Sequence, residues 1–243
     1  MKLSIECAMM PGKWHGGKSE DRILVVGSIL AHGKYRTEVD DAEDGCIAIF
    51  DGVGGLEGGA YASSMAAWRV QKLPTGSGEA ELREQFLQLS RELREYNCSA
   101  TTATGILFNR ERALLFHIGN TRLWSWDPER TFLCQMTDDQ TTVNELGNFL
   151  TPEMKQVRAH EITGALGGPE ETGNRLVIQE ITESWKTGSG FCLTTDGIHD
   201  YADLYELEQL LQPNAAPSIL FDCVRKNGSD DDASVIRIWR DSQ

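Results

Sequence analysis

Apolar and polar positions along this chain of 243 residues fall into short blocks whose period separates strands from helices. Residues 3 to 7 alternate like a strand, and Gly12, Gly16 and Gly17 break the alternation before Lys18-Ser19-Glu20-Asp21 and an apolar run from Ile23 to Leu30. Cys46 to Phe50 is apolar throughout and predicts a buried strand that stops at Asp51, where glycines allow a sharp turn. Helical spacing follows. Met65, Ala66, Val70 and Leu73 share one face of Ala60 to Leu73, and Leu82, Phe86, Leu89, Leu93 and Tyr96 share a face of the next segment. Pro74 to Gly78 has the length of a helix-helix turn, not of a linker.

Four β-like pieces come next, Thr101 to Phe108, Ala113 to Ile118, Arg122 to Trp126 and Thr131 to Met136, joined by turns short enough to make antiparallel neighbours. Thr137 to Asn174 is polar and glycine-bearing, with one helix-like piece near Thr141 to Leu146, and reads as a mobile excursion from the core. Strands at Leu176 to Ile181 and Phe191 to Thr195, helices through Leu204 to Leu211 and Ile219 to Val224, and a last strand from Ala233 to Trp239 complete the pattern. Strand blocks and helix blocks segregate, which predicts an α+β fold of antiparallel sheets with helices outside, in one domain spanning 1–243. A doubly wound nucleotide fold would need a glycine where Glu57 stands. Asp40 to Gly45 resembles a calcium loop, but Ala42 cannot ligate, and the segment reads as a solvated acidic turn.

Charge narrows the partners. A formal net charge of −14 argues against nucleic acid or an anionic membrane and suits cations. The chain has no long apolar run and no leader-like start, so a soluble cytoplasmic protein is expected. Its six cysteines form no C-x-x-C pair and read as reduced core residues.

Phe191 to Gly197 repeats the design of the first buried strand, with Asp196 at the strand end, and Asp230-Asp231-Asp232 places acids just before a strand. Antiparallel pairing sets the end of one strand beside the start of the next, so Asp51, Asp196 and Asp231 can converge on one edge, with Glu20 and Asp21 beside them. Crowded carboxylates call for a cation, and all-oxygen ligation selects magnesium or manganese over zinc. Two such ions about 3.5 to 4 Å apart would activate a water against a phosphorus atom.

These residues carry a resemblance. Asp51-Gly52-Val53-Gly54-Gly55, Gly59 to Ser63, Thr101-Thr102-Ala103, Ile118-Gly119-Asn120-Thr121-Arg122, Ala165-Leu166-Gly167, Thr195-Asp196-Gly197 and Asp231 to Val235 follow one another as in the metal-dependent (type 2C) protein serine/threonine phosphatases, especially their compact bacterial form. The resemblance implies two packed antiparallel β-sheets flanked by helices, with two manganese or magnesium ions at one end and a weak third. It implies that Asp51 bridges both ions, that the Gly52 carbonyl binds one and Asp196 and Asp231 the other, and that Glu20 and Asp21 hold metal-bound waters. Thr137 to Asn174 would be the family's flap.

Three departures stand out. Gly16 occupies the place of the family's phosphate-gripping arginine, leaving Lys13, His15 or Lys18 to substitute. Asn120 replaces an aspartate that resembles a third-metal ligand, a site that Asp196 and Asp200 would share, and Asp231-Asp232 replaces the usual Asp-Asn pair. The expected activity is hydrolysis of phosphoserine and phosphothreonine in proteins by a metal-bridging hydroxide, opposing a serine/threonine kinase. No G-x-S-x-G motif and no cysteine in a basic loop offers another nucleophile. The alternative, motivated by Gly16 and Asn120, is a non-catalytic phosphatase-like domain that binds metal or phosphoprotein.

Overall fold

A computed structural model describes residues 2–13, 16–40, 43–53, 58–96, 99–126, 132–169, 175–187, 190–212 and 214–240. One sheet contains β1 (Lys2–Met10), β4 (Gly33–Asp40), β8 (Arg122–Trp126), β9 (Leu133–Gln135), β11 (Gly190–Thr194) and β12 (Ala233–Arg240), in the order β4-β1-β12-β11-β8-β9. The other contains β2 (Arg22–Val25), β3 (Ser28–Leu30), β5 (Gly45–Phe50), β6 (Ala103–Phe108), β7 (Ala113–Ile118) and β10 (Val177–Glu180), in the order β10-β7-β6-β5-β2-β3. Every pairing is antiparallel.

The sheets pack face to face, and helices cover their outer faces. Ile47 and Ile49 of β5 point into the inter-sheet core with Phe191, Leu193, Ile236 and Ile238, while Cys46, Ala48 and Phe50 point outward beneath α1 (Gly59–Gln71) and α2 (Glu79–Glu95). That is why β5 is a continuous apolar run: both of its faces are covered. β11 and β12 behave likewise, with Cys192, Ala233 and Val235 packed outward against the helices Leu204–Leu210 and Pro217–Lys226. Each Leu, Ile or Phe buried this way contributes about 1.5–3 kcal/mol.

The α+β expectation and the two helix faces hold, with local corrections. Ile23 to Leu30 is a hairpin, not one strand, because the chain turns at Val26 and Gly27, both with positive φ. β4 was missed in the pattern; as an edge strand it alternates exposed and half-buried residues and packs only Tyr35 and Val39 on the core. Tyr96 is exposed and stacks on Tyr61 instead of joining the core. The excursion carries a second helix, α4 (Pro152–Val157), after α3 (Thr142–Leu146), and Leu166 returns to pair with Thr101 and is buried. A helix at Thr182–Thr187 was also unforeseen. Cys134 is exposed, unlike the buried Cys7, Cys46 and Cys192.

Candidate active site

The ends of four strands, two from each sheet, meet at one edge of the sandwich. In one sheet, the pair Arg22 with Phe50 sets Asp21, just before β2, beside Asp51, just after β5. In the other, Thr194 pairs with Val235, which sets Asp196 beyond the end of β11 near Asp231 and Asp232 before β12. The backbone at Asp51 is fixed: its carbonyl accepts from the Thr102 amide (2.8 Å) and the Thr101 hydroxyl (2.8 Å), and its amide donates to Thr102 Oγ1 (3.2 Å). Asp21 joins the two sheets. Its Oδ2 accepts from Ser234 Oγ (2.6 Å) and Thr195 Oγ1 (3.4 Å).

A cavity of about 240 Å³ opens over this junction, lined by Asp51, Gly52, Val53, Thr102, Asn120, His160, Ile162, Asp196, Asp231 and Asp232. Asp21 lies beneath, fully buried. Burial pushes its carboxyl well above the usual carboxylate range, and Asp232, Asp196 and Asp231 push it further, against the Ser234 hydrogen bond. Asp51 is raised likewise, by burial first and then by Asp21, Asp196 and Asp231. Asp196 is raised by burial and Asp200, and held back by Asn120, the Gly197 amide and His160. No donor among the described residues reaches the buried Asp21 Oδ1, and the neighbouring Asp51 carboxyl can join it only through a shared proton or a cation. Four carboxyls in mutual repulsion around an orphaned oxygen, with no cysteine among the described residues that line the cavity, fit a hard divalent cation with oxygen ligands.

The residues expected from sequence are brought together unequally. Asp51, Gly52, Asp196, Asp231 and Asn120 line one cavity, and Asp21 lies under it. The Glu20 carboxylate lies over Gly59 at the start of α1, where an added Cβ would come within 2.8 Å of Oε2. Asp200 follows Asp196 by one helical turn, its amide bonded to the Asp196 carbonyl at 3.0 Å. Asn120 is buried and donates its amide Nδ2 to Asp196 Oδ2 (3.0 Å). Lys13 pairs with Asp230, Lys18 is exposed, and His15 lies outside the described residues.

Two features were not foreseen. His160, from the turn after α4, approaches Asp200 (Nδ1 to Oδ2, 3.4 Å), and one ring nitrogen of His160 and one carboxylate oxygen each of Asp196 and Asp200 lie within 4.8 Å of one another. A histidine thus stands beside carboxylates for which the sequence suggested oxygen ligation alone, and the spacing of the five histidines along the chain gives no sign of it. Arg122 makes a forked pair with Asp139 (Nε to Oδ1 2.9 Å and Nη2 to Oδ2 2.5 Å), in the wall of an adjoining cavity of about 410 Å³ that shares Asn120 and His160.

Solved structures similar to this chain include bacterial serine/threonine phosphatases. The serine/threonine phosphatase of S. agalactiae superposes with a TM-score of 0.75 at 18% identity, over 98% of this chain and 100% of that one. Stp1 from Staphylococcus aureus gives 0.74 at 18% identity, over 98% and 95%. The catalytic domain of the phosphatase PstP, solved in complex with two manganese ions, gives 0.66 at 23% identity, over 98% of each chain. No family model and no curated protein matches the sequence. The chain thus has the bacterial type 2C phosphatase fold over nearly its whole length.

Proposed function

We propose that this protein is a metal-dependent phosphatase acting on phosphoserine and phosphothreonine in proteins. The observation that carries the reading is the convergence of Asp21, Asp51, Asp196 and Asp231 from both sheets on one cavity edge, in a fold shared with serine/threonine phosphatases. Asp51, the Gly52 carbonyl, Asp196 and Asp231 would hold two manganese or magnesium ions, with Glu20 and Asp21 reached through water. When bound, such ions lower the pKa of a water and neutralise phosphoryl charge. The chain's own contribution is rigidity and polarity: Thr101 and Thr102 fix the Asp51 backbone, Ser234 and Thr195 fix Asp21, and the Asn120 amide holds Asp196. Thr137 to Asn174 would act as the flap that selects phosphoprotein substrates, opposing a serine/threonine kinase.

One observation favours a second reading, a phosphatase-like domain that binds metal or phosphoprotein without turnover. Among the described residues lining the acidic cavity, His160 is the only basic group, and Gly16, where a phosphate-gripping arginine is expected, is exposed with φ +61°. Release of the phenolate from an aryl phosphate separates the two: turnover with added Mn²⁺ that chelator abolishes supports the enzyme, and Mn²⁺ binding without turnover supports the binding module.

A further inference from the structure

The second acid of Asp231-Asp232 stands in the sequence only as a replacement for the family's usual asparagine; in the structure both of its carboxylate oxygens accept backbone amides. Asp232 is buried (4% exposed), and its two oxygens take different backbone donors. Oδ1 accepts the Gly12 amide at 2.5 Å and Oδ2 the Glu20 amide at 2.7 Å. These amides stand at the two ends of the segment that leaves β1 and enters β2. We propose that Asp232 is a positioning residue that clasps both ends of this segment and thereby fixes Glu20 and Asp21 against Asp51.

The surroundings serve the same clasp. A Cβ on Gly12 would fall 2.8 Å from the Asp230 carbonyl oxygen, 2.9 Å from the Asp231 carbonyl carbon and 3.0 Å from the Asp232 nitrogen, so only glycine permits the approach. The Lys13 amide donates to the Asp230 carbonyl (2.9 Å), and Arg225 bridges the Ser229 and Pro11 carbonyls (2.6 and 2.5 Å). Downstream, the Glu20 carbonyl accepts from Ser63 Oγ of α1 (2.5 Å), and the Asp21 amide donates to Ser19 Oγ (3.1 Å). Displacement of residue 20 would therefore reach the Asp21 carboxyl next to it.

Chemistry explains why an aspartate serves. An ionised carboxylate accepts at both oxygens, whereas an asparagine amide accepts at one and would turn its own NH₂ against an N–H at the other. Removing one acceptor leaves a buried backbone donor unsatisfied. Groups that orient ligands without touching the ion typically alter metal affinity about 10- to 100-fold.

The inference rests on the metal-site reading above, so the test has a readout that needs no metal. Asp232→Asn and Gly12→Ala are compared with the wild-type full chain by amide hydrogen exchange in metal-free protein and by calorimetric titration with Mn²⁺. Gly12→Ala disturbs the clasp without changing charge. Expected are loss of protection at the Gly12 or Glu20 amide of Asp232→Asn by about tenfold or more, and Mn²⁺ affinity about 10- to 100-fold weaker in both variants. Unchanged protection in Asp232→Asn overturns the clasp, as does weakened Mn²⁺ binding in Asp232→Asn alone, which would make Asp232 a source of charge only. Should Gly12→Ala fail to fold, the exchange measurement on Asp232→Asn decides. A wild-type protein that binds no Mn²⁺ contradicts the metal reading instead, and the exchange data still judge the clasp.

Discussion

Asn120 donates its side-chain amide to Asp196 Oδ2 across 3.0 Å, so a neutral donor stands where the resemblance leads one to expect a third carboxylate. The hydrogen bond stabilises the ionised Asp196, partly doing a cation's work. Asn120→Asp replaces donor by acceptor and sets two acids face to face. Metal-free stability should fall by about 1.5–3 kcal/mol, the worth of a hydrogen bond to a charged group, while less Mn²⁺ should be needed for half-maximal rate. Urea unfolding and a rate titration measure the two. Superimposable titration curves would discard the third-ion reading and leave the two-ion site standing.

Asp51→Asn should abolish hydrolysis and stabilise the metal-free fold at neutral pH. The sign follows from the raised Asp51 carboxyl. Its folded pKa exceeds the unfolded value, so its contribution to stability is complete below the unfolded pKa of about 3.9 and is lost as pH rises through the folded pKa. An amide carries no such penalty. The variant's melting temperature should therefore exceed that of the wild type by at least about 2 °C near pH 7.5, and the gain should vanish toward pH 4. Buried His199 and His117 are shifted down, giving the opposite slope below the ordinary histidine value; they are common to both proteins and cancel in the difference. A gain that grew on acidification would contradict the assignment.

The forked Arg122–Asp139 pair ties β8 to the base of the excursion, and both side chains are largely shielded (20% and 10% exposed). Asp139→Ala leaves a half-buried guanidinium without its partner and should cost about 2–4 kcal/mol. Denaturant unfolding checks it; a change below about 0.5 kcal/mol would mean that solvent already compensates the charge.

Most of the fold was legible because the sandwich needs strands covered on both faces: β5 and β11 consequently appear as apolar runs that end at Asp51 and Asp196, and β12 as a largely apolar run that begins after Asp230 to Asp232. β4 escaped because an edge strand buries little: Gly33–Asp40 shows only polar alternation around Tyr35, Thr37 and Val39. The β2–β3 hairpin escaped because its turn places Val26, a β-branched residue, at φ +41°, which no apolar run announces. At the site, Asp51, Asp196 and Asp231 were readable from strand ends. His160 and the Arg122–Asp139 pair were not, since tertiary packing of the excursion brings them in and no spacing along the chain records it.

Thiol chemistry should be silent. Burial pushes the Cys7 and Cys46 thiols far up and Cys192 to about 12, so none of these offers thiolate at neutral pH. Cys134 is exposed and does not line the acidic cavity. Iodoacetamide should modify Cys134 in the folded protein, detectable by peptide mass spectrometry, with hydrolysis unchanged. Inactivation in step with modification would point to a cysteine-dependent reaction.

The most direct measurement is phosphate release from phosphoserine and phosphothreonine peptides by purified protein stripped with chelator and then titrated with Mn²⁺ or Mg²⁺. Release should be absent from the stripped protein, return with either ion, and be lost in Asp51→Asn and Asp196→Asn while circular dichroism shows both variants folded. Full turnover in excess chelator, or near-wild-type rates in either variant, would contradict a metal-dependent phosphatase centred on Asp51 and Asp196.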